Sequence, residues 1–213
     1  TLALPHEPVL LPECASDAPV WQSHGAGCDI RRYGSAMTEQ PPAKPAKRPP
    51  LLVTAELPPD VLAWADALRK AHYPPERNRL RAHVTLFHAL PPSIEDELRE
   101  VLGDLARAAP PLAQITGLMK LGTGTAIAVS SPDMYALHGQ IAERLHGLLT
   151  RQDQDDLRLH ITIQNKVTPG EARELQAELA PRIEPRAFRF PAFGLYAWED
   201  GLWRPIRTIP FRG

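Results

Sequence analysis

Cysteine is nearly absent from this chain: of 213 residues only Cys14 and Cys28 are cysteines, so thiol catalysis and thiolate metal sites are excluded from everything that follows them. A Cys14–Cys28 bridge could form, but one pair in an otherwise cysteine-free chain reads as two reduced thiols of a cytoplasmic protein. No run of about 18 apolar residues occurs, which excludes a membrane-spanning helix. The first residues lack the basic, apolar and small-residue order of a secretory signal. Charge of one sign is lacking too. Lys and Arg number 24 against 25 Asp and Glu, for a net charge of −1 and a pI near 6.7. No broad basic field exists to hold long duplex nucleic acid, so any nucleic-acid substrate is short or terminal.

What the chain does have is 43% hydrophobic residues, enough for one well-buried core. The core begins late. Residues 1–50 show no hydrophobic periodicity; Gly34-Ser35-Ala36-Met37 reads as a join between added or upstream sequence and an initiator methionine. Residues 38–50, TEQPPAKPAKRPP, have the composition of an extended linker. The folded domain is expected over 51–213.

Within it, LLVTAEL (51–57) reads as a buried strand ending at Pro58-Pro59, and an amphipathic helix follows until Tyr73-Pro74-Pro75. AHVTLFHAL (82–90) alternates as a strand does, and Ser93 is placed to cap a helix with an acidic first turn. Segments 112–121 and 125–130 flank Gly122-Thr123-Gly124 as a hairpin. Pro132 opens a helix with Leu137, Ile141, Leu145, Leu148 and Leu149 on one stripe. RLHITIQNKV (158–167) is a further strand, Thr168-Pro169-Gly170-Glu171 starts a fourth helix, and 186–198 with 202–211 form a final hairpin. Strand, helix and strand occur twice, which predicts an α+β fold of two similar lobes.

Two tetrads stand out, His83-Val84-Thr85-Leu86 and His160-Ile161-Thr162-Ile163. Strand residues two apart share a face, so each tetrad presents an imidazole beside a hydroxyl, backed by apolar side chains. With 8 histidines and 11 threonines, such a tetrad arises by chance roughly 0.2 times, and two copies at equivalent places are a signal. Two imidazoles across a cleft can divide acid and base work near neutral pH, while threonine hydroxyls donate to phosphate oxygens. A metal site is discounted, because no carboxylate or cysteine stands at ligand spacing. By the same parity Phe87 could stack a base, Gln164 could bond phosphate or sugar, and Lys166 could neutralise phosphate. Arg77, Arg79 and Arg81 form a basic cluster entering the first tetrad that could attract phosphate at the rim, with Arg81 the candidate substrate contact, although exposed loop arginines are usually solubilising. His88 falls on the opposite face by parity; His72, His138 and His146 fall on helices, and none of the four is a favoured catalyst. Tyr196, Trp198 and Trp203 are read as packing residues first and stacking groups second.

RAHVTLFHALPP (81–92), LGTGTAIAVSSP (121–132), LLTRQD (148–153) and LHITIQNKVTP (159–169) resemble the two-histidine (2H) phosphoesterase superfamily, in its 2′-5′ RNA ligase or cyclic phosphodiesterase branch. The resemblance runs from Leu51 to Phe211. It implies a bilobal duplicated α+β fold, two antiparallel-type sheets with flanking helices around a central groove, and cofactor-free hydrolysis of 2′,3′-cyclic phosphates of nucleotides or RNA ends. It makes His83 and His160 acid and base, with Thr85 and Thr162 as phosphate donors. Ligation or cleavage of a 2′-5′ linkage is the alternative activity, and a non-catalytic nucleotide-binding module is the alternative class. The expected partner is a nucleotide or short RNA, with the protein a cytoplasmic monomer.

Overall fold

A computed structural model describes residues 49–199 and 202–213. The tail and linker anticipated over 1–50 lie outside the described residues except for Pro49 and Pro50, and so do both cysteines. The remaining sequence forms β1 (Leu51–Ala55), α1 (Pro59–His72), β2 (Val84–Leu90), α2 (Glu95–Leu105), β3 (Leu112–Lys120), β4 (Thr125–Ser130), α3 (Pro132–Arg144), α4 (Arg151–Gln154), β5 (His160–Gln164), α5 (Pro169–Leu179), β6 (Arg186–Arg189), β7 (Ala192–Glu199) and β8 (Leu202–Pro210).

Local chemistry explains most boundaries. Pro59 and Pro132 occupy first-turn positions where a missing N–H costs nothing. Thr168 and Glu171 close a reciprocal capping box at the start of α5. Ser93, expected as a cap, instead lies in a 3-10 turn, Pro92–Ile94, and makes no cap bond. Gly147, with φ 83, follows the end of α3, and Leu148 of the anticipated stripe is left exposed. The short α4 has no periodic pattern to announce it; Thr150 caps it.

The eight strands form one sheet in the order β6-β3-β4-β5-β2-β1-β7-β8, with every pairing antiparallel. The two sheets expected from the sequence are thus halves of one, joined where β2 meets β5 and Val84 stands opposite Ile161. The halves are not consecutive stretches of chain. β3 leaves the first repeat to pair with β4, and β7 returns from the second to pair with β1. Val84 and Ile161 are fully buried, worth roughly 1.5–3 kcal/mol each, which holds both motif strands against rotation.

Candidate active site

The tetrads sit at the seam. Continuing the Val84–Ile161 pairing by one residue each way sets His83 opposite Thr162 and Thr85 opposite His160. All four side chains are half-buried and line one pocket of about 720 Å³.

Both imidazoles are oriented alike. His83 Nδ1 lies 2.7 Å from the Arg81 carbonyl and His160 Nδ1 lies 2.6 Å from the Arg158 carbonyl. A carbonyl oxygen only accepts, so Nδ1–H donates in each case, and Nε2 is the nitrogen left for a substrate. Burial pulls the His83 pKa below its ordinary value, aided by Arg69 and opposed by the Arg81 carbonyl and Glu56. Burial also lowers His160, with its own carbonyl bond opposing and the charges of His88 and Arg158 assisting. Near neutral pH both rings are uncharged in the free protein.

The threonines are free to donate. Thr54 and Thr125 on the adjoining strands spend their hydroxyls on Glu56 and Gln164. Thr85 and Thr162 make no side-chain hydrogen bond among the described residues.

A backbone device after each threonine re-aims the strand. Thr54 pairs Thr85 while Val53 pairs Phe87, and Ala126 pairs Thr162 while Thr125 pairs Gln164. Each motif strand therefore carries an extra residue there, a β-bulge that reverses the alternation. Phe87 and Gln164, expected on the pocket face, turn inward instead. Phe87 is fully buried and stacks on His138 with ring centroids 4.4 Å apart. Gln164 is buried and accepts from Thr125 Oγ1. The next residues, His88 and Asn165, line the pocket.

The other expected contacts divide. Arg81 is held by Asp66 at 3.0 Å with its side chain outside the pocket lining, whereas Arg77 and Arg79 are on the rim. Lys166 is exposed beyond the end of β5, with φ 60, and does not line the pocket. Trp198 and Trp203 do line it, packed edge to face at 5.1 Å. Tyr196 instead donates to Glu56 Oε1 at 2.9 Å, and burial and that carboxylate raise its pKa.

Several residues escape a reading of the sequence alone. Arg69 is buried, donates to the Thr162 carbonyl at 2.6 Å and to Asn78 Oδ1 and the Leu80 carbonyl, and so ties β5 to the loop that leads into His83. His88 and His138 both line the pocket. Asp153, buried in α4, is the acceptor for His88 Nδ1 at 3.0 Å. Arg158 was legible in principle: RAHVT and RLHIT repeat the arginine two residues before each histidine. Among the described residues no group of three or more His, Cys, Asp or Glu side chains is arranged to hold a metal ion. No described helix is long and apolar enough to cross a membrane.

A paired His-x-Thr ladder at the centre of a duplicated antiparallel sheet defines a 2H phosphoesterase-like protein. A sequence model of the 2′-5′ RNA ligase superfamily matches residues 57–202, and the chain belongs to that superfamily. Two solved structures share the fold at low identity. The protein TT0787 of Thermus thermophilus is 17% identical, with 77% of this chain and 98% of that one covered and a TM-score of 0.56. E. coli LigT in complex with NADP+ is 17% identical, with 78% and 99% covered and a TM-score of 0.52. No curated protein matches the chain in sequence. Membership of this superfamily supports a phosphoesterase of the 2H kind.

Proposed function

We infer that the protein is a metal-independent phosphodiesterase that opens 2′,3′-cyclic phosphates of nucleotides or RNA ends. The observation that carries this reading is the pair of imidazoles locked through Nδ1, each facing a cross-strand threonine with an unengaged hydroxyl. A cyclic phosphate placed between them meets a neutral Nε2 on one side and, once the other ring is protonated, an Nε2–H on the other. The neutral ring removes a proton from water as the water oxygen bonds phosphorus. The bond from phosphorus to the ribose 2′ or 3′ oxygen breaks, and the imidazolium gives that oxygen its proton. Both rings have then exchanged protonation state, and solvent restores them. Thr85 and Thr162 donate to the non-bridging oxygens as charge builds there. Trp198 and Trp203 offer a face on which a base can stack.

The LigT structures, complexes of that protein with NADP+ and with 3′-AMP at TM-scores of 0.52 and 0.50, fit a nucleotide-sized ligand. The superfamily description favours one further reading, joining or cutting of a 2′-5′ linkage, in which a ribose hydroxyl replaces water. The deciding assay is turnover of nucleoside 2′,3′-cyclic monophosphates in EDTA by wild type, His83→Ala and His160→Ala. Turnover that survives EDTA and is lost in both variants supports hydrolysis by the histidine pair. Loss on chelation overturns it, and tight binding without turnover makes the protein a nucleotide-binding module.

A further inference from the structure

The pseudo-symmetry of the seam breaks one step beyond the tetrads. Past the Thr85–His160 rung come His88 on β2 and Arg158 before β5, and both line the pocket. Past the His83–Thr162 rung their counterparts are Asn165, a neutral amide, and Arg81, which Asp66 holds outside the lining. The His83 end has cations of its own, but Arg69 is engaged by the Thr162 and Leu80 carbonyls and Asn78, Arg77 by Glu76 and Arg79 by the Glu76 carbonyl, so the two ends offer different groups to an anion.

His88 is the built part. Its Nδ1 lies 3.0 Å from Asp153 Oδ1, and a carboxylate fixes that nitrogen as the donor, so Nε2 is left for the pocket. The Asp153 side chain has 0% exposure and also takes the His88 backbone N–H at 2.8 Å, the Ala89 N–H at 3.3 Å and the Thr150 hydroxyl at 2.9 Å. Of the residues that supply those four donors, only His88 lines the pocket. A sealed carboxylate therefore anchors the ring from behind, and the rest of the side chain, 41% exposed, opens on the pocket. The Arg158 side chain is exposed and makes no ion pair among the described residues. The same wall also carries Asp155, Asp156 and His138, so it is no bare basic patch; discrimination rests on the anchored His88 ring and the Arg158 guanidinium. The hydrolytic step proposed above uses neither of them.

The geometry points to a second phosphate subsite at His88 and Arg158, which takes a phosphate one ribose removed from the scissile one, as at the 5′ side of an RNA end. This rests on the nucleotide reading of the pocket, and it gives the pocket a direction: substrates with a 5′-phosphate or an internal diester bind better than a lone cyclic mononucleotide.

Equilibrium binding separates this subsite from the question of turnover. Adenosine 3′,5′-bisphosphate and adenosine 3′-monophosphate are titrated into wild type, His88→Gln, Arg158→Gln and Arg81→Gln. The wild type should prefer the bisphosphate by about tenfold, with the preference falling toward unity in His88→Gln and Arg158→Gln and persisting in Arg81→Gln. Arg158→Gln guards against a folding defect in His88→Gln, because the Arg158 side chain is exposed. An unchanged preference in both subsite variants overturns the proposal, as does a wild type that binds the two ligands equally. Bisphosphate preference without turnover of any cyclic phosphate would retain the subsite and overturn the hydrolytic reading.

Discussion

A carboxylate sealed from solvent stays ionised only if its surroundings replace the lost water. For Asp153 burial pushes the pKa up, yet the hydrogen bonds from His88 and Thr150 outweigh it and hold the group below its ordinary value. A depressed carboxyl pKa contributes stability at pH above the unfolded value, about 3.9, and that contribution is lost as pH falls through the folded pKa. At neutral pH it is fully present. Asp153→Asn keeps the size but sets an amide N–H₂ against donors, and should cost about 2 kcal/mol in urea unfolding. Wild-type stability in this variant would mean the four bonds are not formed. His83 and His160 shift in the same direction for the opposite reason, since burial here removes the charged form. Both pKa values are lowered, so in the proposed reaction the base stays competent to lower pH and the acid loses its proton earlier. Both limbs of the kcat/KM profile for a cyclic nucleotide therefore move to the acid side, and the optimum should fall below about 6.5. An optimum above about pH 7.5 would show that the free-enzyme rings are not depressed. This much of the site was legible as residue types: the tetrads are written in the sequence, and strand parity places each histidine with its threonine.

Parity fails at the scale of the element. A strand's alternation can be read from its own residues, but a bulge is a property of two strands in register, and nothing in VTLFHAL or HITIQNK announces where the partner skips one. Parity alone therefore puts Phe87 and Gln164 in the pocket and passes over His88 and Asn165. The glycines of Gly122-Thr123-Gly124 show the same division. Gly122, with φ 72, serves the turn, as the sequence suggests. Gly124 serves the bulge: a Cβ there would strike the Gln164 carbonyl oxygen and come within 2.8 Å of Asn165 Cα. Gly124→Ala must therefore displace the segment that aims Thr162 and Asn165, and should lower kcat/KM at least about tenfold by misplacing reacting groups. Gly122→Ala meets no atom within 4 Å and carries only the strain of its positive φ, roughly 1–2 kcal/mol. It should lower the melting temperature while leaving kcat/KM within about twofold. Equal kinetic losses in the two variants would contradict the separate roles assigned to them.

At the scale of the whole molecule, repetition of strand, helix and strand was legible, as was the β3–β4 hairpin around Gly122-Thr123-Gly124, but the return of β7 to β1 was not. The pairings of β1 with β7 and of β3 with β6 join distant stretches of chain, and such partners leave no local trace. The exchange matters for the proposed reaction. Each half brings one imidazole to the seam, and the β2–β5 pairing, with the bond from Arg69 to the Thr162 carbonyl, sets the two rings at one pocket. In the proposed hydrolysis, acid and base act on the same bond-breaking event, and neither has a full effect without the other. Replacing either His83 or His160 by Ala should lower kcat by about 10²–10⁴, the usual reach of one general acid or base. The double variant should fall well short of the product of the two losses, because the first substitution already removes most of the benefit of the second. Strictly multiplicative losses would mean that the rings act in separate steps, and a loss confined to one histidine would mean that the duplicated site works from one half alone.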